Sequence, residues 1–268
     1  MKYALICILI LILCIGIGIG ISFLIRKQTK LKKKRYVFIF TATISLFLLI
    51  VCFFSYVGIF YHAKGEAKEY LKSSSDVTVN KISNGYFFDG KGSNKAIIFY
   101  PGAKVEYTSY APLMYDLANE GIDCFLLKMP FNLAFFGSNK ADSIIKNYNY
   151  QEYYLMGHSL GGSMASMYAS KHSDKVKGVI LLASYSTKTL NMNVLSIYGS
   201  NDGCLDLKAY EKNKKNLPSN YKEFIIDGGN HAQFGLYGKQ KGDKTATISY
   251  EMQKNYTVSA ILDFFDIE

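Results

Sequence analysis

Gly157-His158-Ser159-Leu160-Gly161, followed by Gly162, sets a serine between glycines. Apolar residues 153–156 run into this stretch, and residues 163–171 leave it with helical spacing. A strand, a sharp turn and a helix in that order lift a serine hydroxyl above a sheet edge. Glycine at both flanks lets the strand and the helix approach without Cβ clashes. A serine hydroxyl is a weak nucleophile at neutral pH and needs a base, which an acid must orient. The chain has four histidines. His62 adjoins an apolar run, His158 is inside the turn, and His172 ends the following helix, where the helix dipole accounts for it. His231 remains, in Gly228-Gly229-Asn230-His231, just past the strand-like residues 223–227. For the acid, Asp202 lies in Tyr198-Gly199-Ser200-Asn201-Asp202-Gly203, after a second strand-like run at 194–198, with Asp227 and Asp243 as alternatives.

Attack on a carbonyl also needs donors for the oxyanion. The Leu160 amide, which follows the serine and opens a helix, is one. The second is expected from Pro101-Gly102-Ala103-Lys104 after the apolar run 96–100, with Ala103 the best placed. Lys104 reads as a solvated side chain. Residues 85–91 have the G-x-x-x-x-G-K spacing of a phosphate loop, but Gly92 stands where the Mg²⁺-holding Ser or Thr belongs. The sequence has no histidine pair at metal spacing and no cysteine cluster, so neither a metal nor a cofactor is expected.

The elements that must position these residues alternate between strand and helix. Residues 77–82 and 86–89 flank Asn84-Gly85, a strong hairpin signal. Strands are then expected at 96–100, 123–127, 152–156, 176–183, 194–198 and 223–227. Helices are expected near 109–120, closed by Gly121, and near 163–171 and 250–265. Such alternation implies right-handed crossovers and a mostly parallel sheet covered on both faces, here with an antiparallel edge.

Ahead of this domain the chain changes character. Residues 3–25 and 36–61 carry no charge and are rich in Ile, Leu and Phe, each long enough for a membrane core of about 30 Å. Seven Lys and Arg fill residues 26–35 between them, a density that holds a short turn in the cytoplasm. Two spans with a cytoplasmic turn put the domain outside. Gly16, Gly18 and Gly20 are two apart rather than the four of a helix-dimer motif and receive no role. Residues 62–76 are polar, contain Ser73-Ser74-Ser75-Asp76 and read as a stalk, leaving 77–268 as the domain. The formal charge is +10, but residues 1–60 hold eight of the 31 basic residues and none of the 21 acidic ones. The remainder has 23 basic against 21 acidic residues, a net +2, which is no footprint for a nucleic acid. Of five cysteines, Cys124 and Cys204 fall in the domain and read as free thiols.

From about residue 95 onward the chain resembles the α/β-hydrolase superfamily, specifically its fold-5 group of small, often membrane-anchored bacterial proteins. The stretches that carry the resemblance are Tyr100-Pro101-Gly102-Ala103-Lys104-Val105, Lys128-Met129-Pro130 with Asn132-Leu133-Ala134, Gly157 to Gly162, and Gly199 to Gly203. His231-Ala232-Gln233-Phe234-Gly235, Tyr237-Gly238 and Gly242-Asp243 complete them. The order Ser, Asp, His is the order of that fold, and the resemblance implies Ser159, Asp202 and His231 as a triad. Pro101 departs from the His-Gly oxyanion loop of many esterases. The function implied is hydrolysis of an ester, thioester or amide in a small-molecule or lipid-like acyl substrate. The alternatives are acyl transfer by the same residues, or a tethered binding module without catalysis.

Overall fold

The computed structural model describes residues 2–29, 34–91 and 94–266. Lys30, Lys32 and Lys33 of the basic turn lie outside the described residues. The chain forms two compact units, Met1–Ile59 and Phe60–Glu268.

The first unit is a hairpin of α1 (Lys2–Gln28) and α2 (Lys34–Gly58). At 27 and 25 residues both helices exceed the roughly 20 needed to cross a hydrocarbon core. Their outer faces expose Leu9, Ile12, Leu13, Phe47 and Phe54, a surface suited to lipid rather than water. Small and hydroxylated residues join them. A Cβ on Gly18 would stand 2.3 Å from Ser45 Oγ, so Gly18, given no role from its spacing, permits the close approach of α2. The Ser45 hydroxyl donates to the Cys14 carbonyl (3.2 Å), and Thr41 donates to Ser22 Oγ (3.0 Å). Van der Waals packing and such interhelical hydrogen bonds are what can hold helices together where no hydrophobic effect acts between them.

The second unit begins with residues that the sequence suggests are a stalk. Most of residues 62–76 are exposed, but Ala67 in α3 (Gly65–Glu69) is fully buried, and Tyr70 and Leu71 pack against the core. Apolar residues spaced among lysines hide this docking from a composition reading.

Eight strands among the described residues form one sheet in the order β1-β2-β4-β3-β5-β6-β7-β8. They are β1 (Thr78–Ile82), β2 (Gly85–Asp89), β3 (Lys95–Tyr100), β4 (Asp123–Leu127), β5 (Glu152–His158), β6 (Val176–Leu182), β7 (Asn193–Gly199) and β8 (Lys222–Ile226). β1 and β2 form the antiparallel hairpin expected at Asn84-Gly85, and β2 pairs antiparallel with β4. All pairings from β4 to β8 are parallel. Alternate side chains of the central strands enter separate cores. Ile97, Phe99, Met156 and Ile180 pack with α4 (Ala111–Asn119) and α8 (Tyr250–Phe264). Ile98, Leu155, Val179 and Leu181 pack with α5 (Ala141–Asn147) and α6 (Leu160–Ala169). A strand buried on both faces reads as a continuous apolar run, which is why these strands stand out in the sequence. Helices α5 and α7 (Leu207–Asn213) do not: each has seven residues, too few to establish a period.

Because the strands from β3 to β8 run in one direction, the loops after them share one edge of the sheet. Among the described residues, five of the six non-glycine residues with positive φ stand just past the ends of four adjacent strands. They are Lys104 after β3, Phe131 and Asn132 after β4, Ser159 after β5, and Ala183 after β6. Strain of this kind costs of order 1–3 kcal/mol per residue and gathers at functional edges.

Candidate functional site

Ser159 sits between β5 and α6 with φ 53° and ψ −123°. Its amide donates to the Leu182 carbonyl (2.9 Å), and its carbonyl accepts from the Ser184 hydroxyl (2.7 Å), so residues at the end of β6 and just past it hold the strained turn. Glycines let the turn close. A Cβ on Gly157 would lie 2.5 Å from the Gly161 carbonyl carbon, and one on Gly161 would lie 2.0 Å from the Tyr100 carbonyl oxygen. The helix expected at 163–171 therefore starts earlier, at Leu160, against the end of β3. The Leu160 amide, as the first in α6, has no intrahelical acceptor.

The loop after β3 is shaped around this helix end. The Gly102 amide donates to the Tyr110 hydroxyl (3.1 Å), and the Lys104 amide donates to the Asn132 carbonyl (2.8 Å). Between them the Ala103 amide makes no hydrogen bond among the described residues. The backbone amides of Leu160 and Ala103 are thus both without a hydrogen-bond acceptor among the described residues, on the edge that carries Ser159.

His231 follows β8 and Asp202 follows β7, and the structure brings them together. His231 Nδ1 and Asp202 Oδ2 are 2.8 Å apart, with His231 2% and Asp202 4% exposed. The other carboxylate oxygen, Oδ1, accepts from the amides of Cys204 (2.8 Å) and Leu205 (2.7 Å), which fixes the acid's orientation. Of the other two acids considered, Asp227 accepts from Ser200 Oγ (3.1 Å). Asp243 accepts from the Gly203 amide through one oxygen (2.9 Å) and from the Ala232 amide through the other (2.8 Å). It braces the loop of Asp202 against the loop of His231. The Ser159 hydroxyl makes no hydrogen bond among the described residues; such contacts often tighten only when a substrate is bound.

Sequence reasoning missed three residues around this core. His158 is not an idle turn residue. It is fully buried, its Nδ1 is 2.8 Å from the Tyr110 hydroxyl, and its ring centroid is 4.5 Å from that of His231. Tyr110 thereby joins the Gly102 loop to the floor beneath His231. Burial, and then the neighbouring His231, hold the His158 imidazole well below the usual histidine range, so it is neutral. Gln253, fully buried on α8, pairs with the Asn230 backbone in both directions: its Oε1 accepts from Asn230 N (2.9 Å) and its Nε2 donates to Asn230 O (2.8 Å). No motif marks a glutamine 22 residues beyond the histidine it steadies. Cys124 and Cys204 are both free, and burial pushes the Cys204 thiol up to about 11.

Residues 96–255 match the model of the alpha/beta hydrolase family, more than half of the chain. The chain belongs to that family. The hydrolase fold recurs in solved structures. A predicted CIB-like hydrolase from Thermoplasma acidophilum is 15% identical, with a TM-score of 0.53, over 70% of this chain and 99% of that one. Est1E from Butyrivibrio proteoclasticus is 14% identical, with a TM-score of 0.51, over 72% and 100% of the two chains. An alpha/beta hydrolase from the metagenome of lagoon sediments at Mar Chica, Morocco, is 14% identical, with a TM-score of 0.54, over 71% and 100%. At these identities the likeness concerns the fold. No curated protein matches the chain in sequence. This hydrolase differs from a bare domain in its two N-terminal helices, which are long and apolar enough to cross a membrane.

Proposed function

We propose that this hydrolase is a membrane-anchored serine enzyme that cleaves an ester, thioester or amide through an acyl-enzyme. The observation that carries the reading is the buried Asp202–His231 hydrogen bond on the sheet edge that also bears the strained Ser159. Asp202 accepts from Nδ1–H of His231, which leaves Nε2 as the base. His231 takes the proton of Ser159 as the hydroxyl oxygen attacks the acyl carbon. The Leu160 and Ala103 amides donate to the resulting oxyanion, and His231 returns the proton to the leaving group. Water, activated by the same imidazole, then releases the acid and regenerates the serine. His158, Tyr110, Asp243 and Gln253 act as positioning residues around the base and the oxyanion loop.

The same reading places α1 and α2 across the membrane, with the basic turn in the cytoplasm and the hydrolase outside it. Labelling with a fluorophosphonate tests the nucleophile without knowledge of the substrate. Wild-type protein should gain the mass of one phosphonyl group, and Ser159→Ala should gain none. Equal labelling of both proteins would refute the assignment.

A further inference from the structure

The covalent chain ties the hydrolase edge to the membrane helix over a very short distance. α2 ends at Gly58, and the backbone of Tyr61 is already part of the second unit. Its amide donates to the Lys104 carbonyl (2.7 Å), its carbonyl accepts from the Glu106 amide (2.8 Å), and it forms a parallel bridge with Val105. Its hydroxyl accepts from the Lys241 amide (3.0 Å), and the Lys64 amide donates to the Leu236 carbonyl (2.9 Å). The entering segment therefore lies between the loop that bears Ala103 and the loop that follows His231. Three residue steps cover at most about 11 Å, whatever the mutual orientation of the units.

The same edge carries an aromatic lip. Phe131, Phe135 and Phe136 follow β4, and their rings meet edge to face. All three are exposed, Phe135 by 64%. The lip is anchored to the oxyanion loop through the Asn132 carbonyl and the Lys104 amide (2.8 Å), and its backbone holds positive φ at Phe131 and Asn132. Three exposed phenylalanines on a strained turn, within one hydrogen bond of the loop expected to hold the oxyanion, are costly in water. They gain free energy on entering the acyl boundary of a bilayer.

We infer that the occupant of this lip is the membrane itself, and that the substrate class is a bilayer-resident acyl ester taken from the leaflet next to the end of α2. The inference rests on the serine-hydrolase and membrane-anchor readings above. The ester C–O bond breaks as Ser159 becomes acylated, the alcohol leaves with the proton from His231, and water then releases the carboxylic acid.

The test uses the full chain in phosphatidylcholine vesicles carrying a trace of long-chain acyl ester, beside a water-soluble p-nitrophenyl ester as reference. A flexible Gly/Ser insert of about twelve residues between Ile59 and Phe60 lengthens the tether by roughly 20 Å. It should lower the ratio of vesicle-ester to soluble-ester turnover about tenfold, because the effective concentration of the leaflet falls. Phe135→Ser should lower the same ratio. If the insert abolishes both turnovers by disturbing the Tyr61 bridge, the Phe135→Ser ratio alone decides. Ratios unchanged by Phe135→Ser would overturn the inference and leave the hydrolase reading intact. Absence of soluble-ester turnover and of fluorophosphonate labelling in the wild type would instead overturn that earlier reading, and this inference with it. Release of the full chain from membranes by alkaline carbonate would refute the anchor and the inference together.

Discussion

At Asp202 the two carboxylate oxygens have separate tasks: one meets His231, and the other is tied to the Cys204 and Leu205 amides. Asp202→Asn keeps the shape but offers the imidazole an amide, which favours the wrong tautomer. The rate of soluble-ester turnover should fall by about 10⁴ with the fold retained. Asp243→Asn should have a different signature, because that carboxylate ties two loops through backbone amides rather than touching the imidazole. Loss of charge-assisted bonds there should cost about 1–3 kcal/mol of stability, with a smaller kinetic effect than Asp202→Asn. If the kinetic ranking of the two variants were reversed in steady-state assays, the acid would be misassigned. His158 gives a prediction in pH. Burial lowers its pKa in the fold, whereas in the unfolded chain it takes up a proton near the ordinary value of about 6.5. Below that pH the unfolded state binds more protons, so this histidine's contribution to stability is present above it and lost as pH falls towards the folded value. Thermal midpoints of the wild type should drop between pH 7 and 5, and His158→Gln should show a shallower drop over the same range. Parallel curves would contradict the assignment of a neutral, buried imidazole.

The elements matter through where they begin and end. Helix α6 starts one residue after Ser159 because Gly161 lies directly on the Tyr100 carbonyl. A methyl group at 161 must push the helix end away from the β3 loop, which separates the Leu160 amide from Ala103. Overpacking of this kind typically costs 1–3 kcal/mol. Gly161→Ala should therefore lower kcat by a larger factor than its shift in Tm accounts for, as read by comparing turnover with urea denaturation. Loss of stability without loss of kcat would mean that α6 does not set the oxyanion geometry. Helix α8 acts from farther away, since Gln253 fixes Asn230 in front of His231 through a reciprocal pair of hydrogen bonds. The sequence predicts a helix near 250–265, but not that Gln253 on it supports the base.

For the whole molecule, the membrane reading puts the charge asymmetry of the N-terminal region to work. On the proposed topology, the seven basic residues at 26–35 oppose translocation and two spans would return the chain to the outer face. Protease added to intact cells should remove the hydrolase unit, while an epitope placed within 26–35 stays protected. Protection of the hydrolase until the membrane is lysed would put it in the cytoplasm. Lengthening either helix with Leu should leave this orientation unchanged, because loop charge rather than span length sets it.

Local chemistry is what the sequence by itself determined. Apolar runs bounded by turn residues mark the strands from β3 to β7, because strands buried on both faces have to be continuously apolar. Asn84-Gly85 marks the hairpin, and Gly157 to Gly162 mark the strained turn, because only small residues fit where backbones touch. The order of Ser159, Asp202 and His231 could be read along the chain, since each follows a recognisable strand. Tertiary structure alone decided which groups meet. Asp202 rather than Asp243 faces His231, though both stand beside a glycine in a turn. His158 and Tyr110 lie 48 residues apart and join only through packing beneath the base. Residues 62–76 have the polarity of a stalk yet dock on the domain through Ala67, Tyr70 and Leu71. Side-chain pairing across distant loops depends on how the sheet twists and closes its edge, and no short window of residues encodes that.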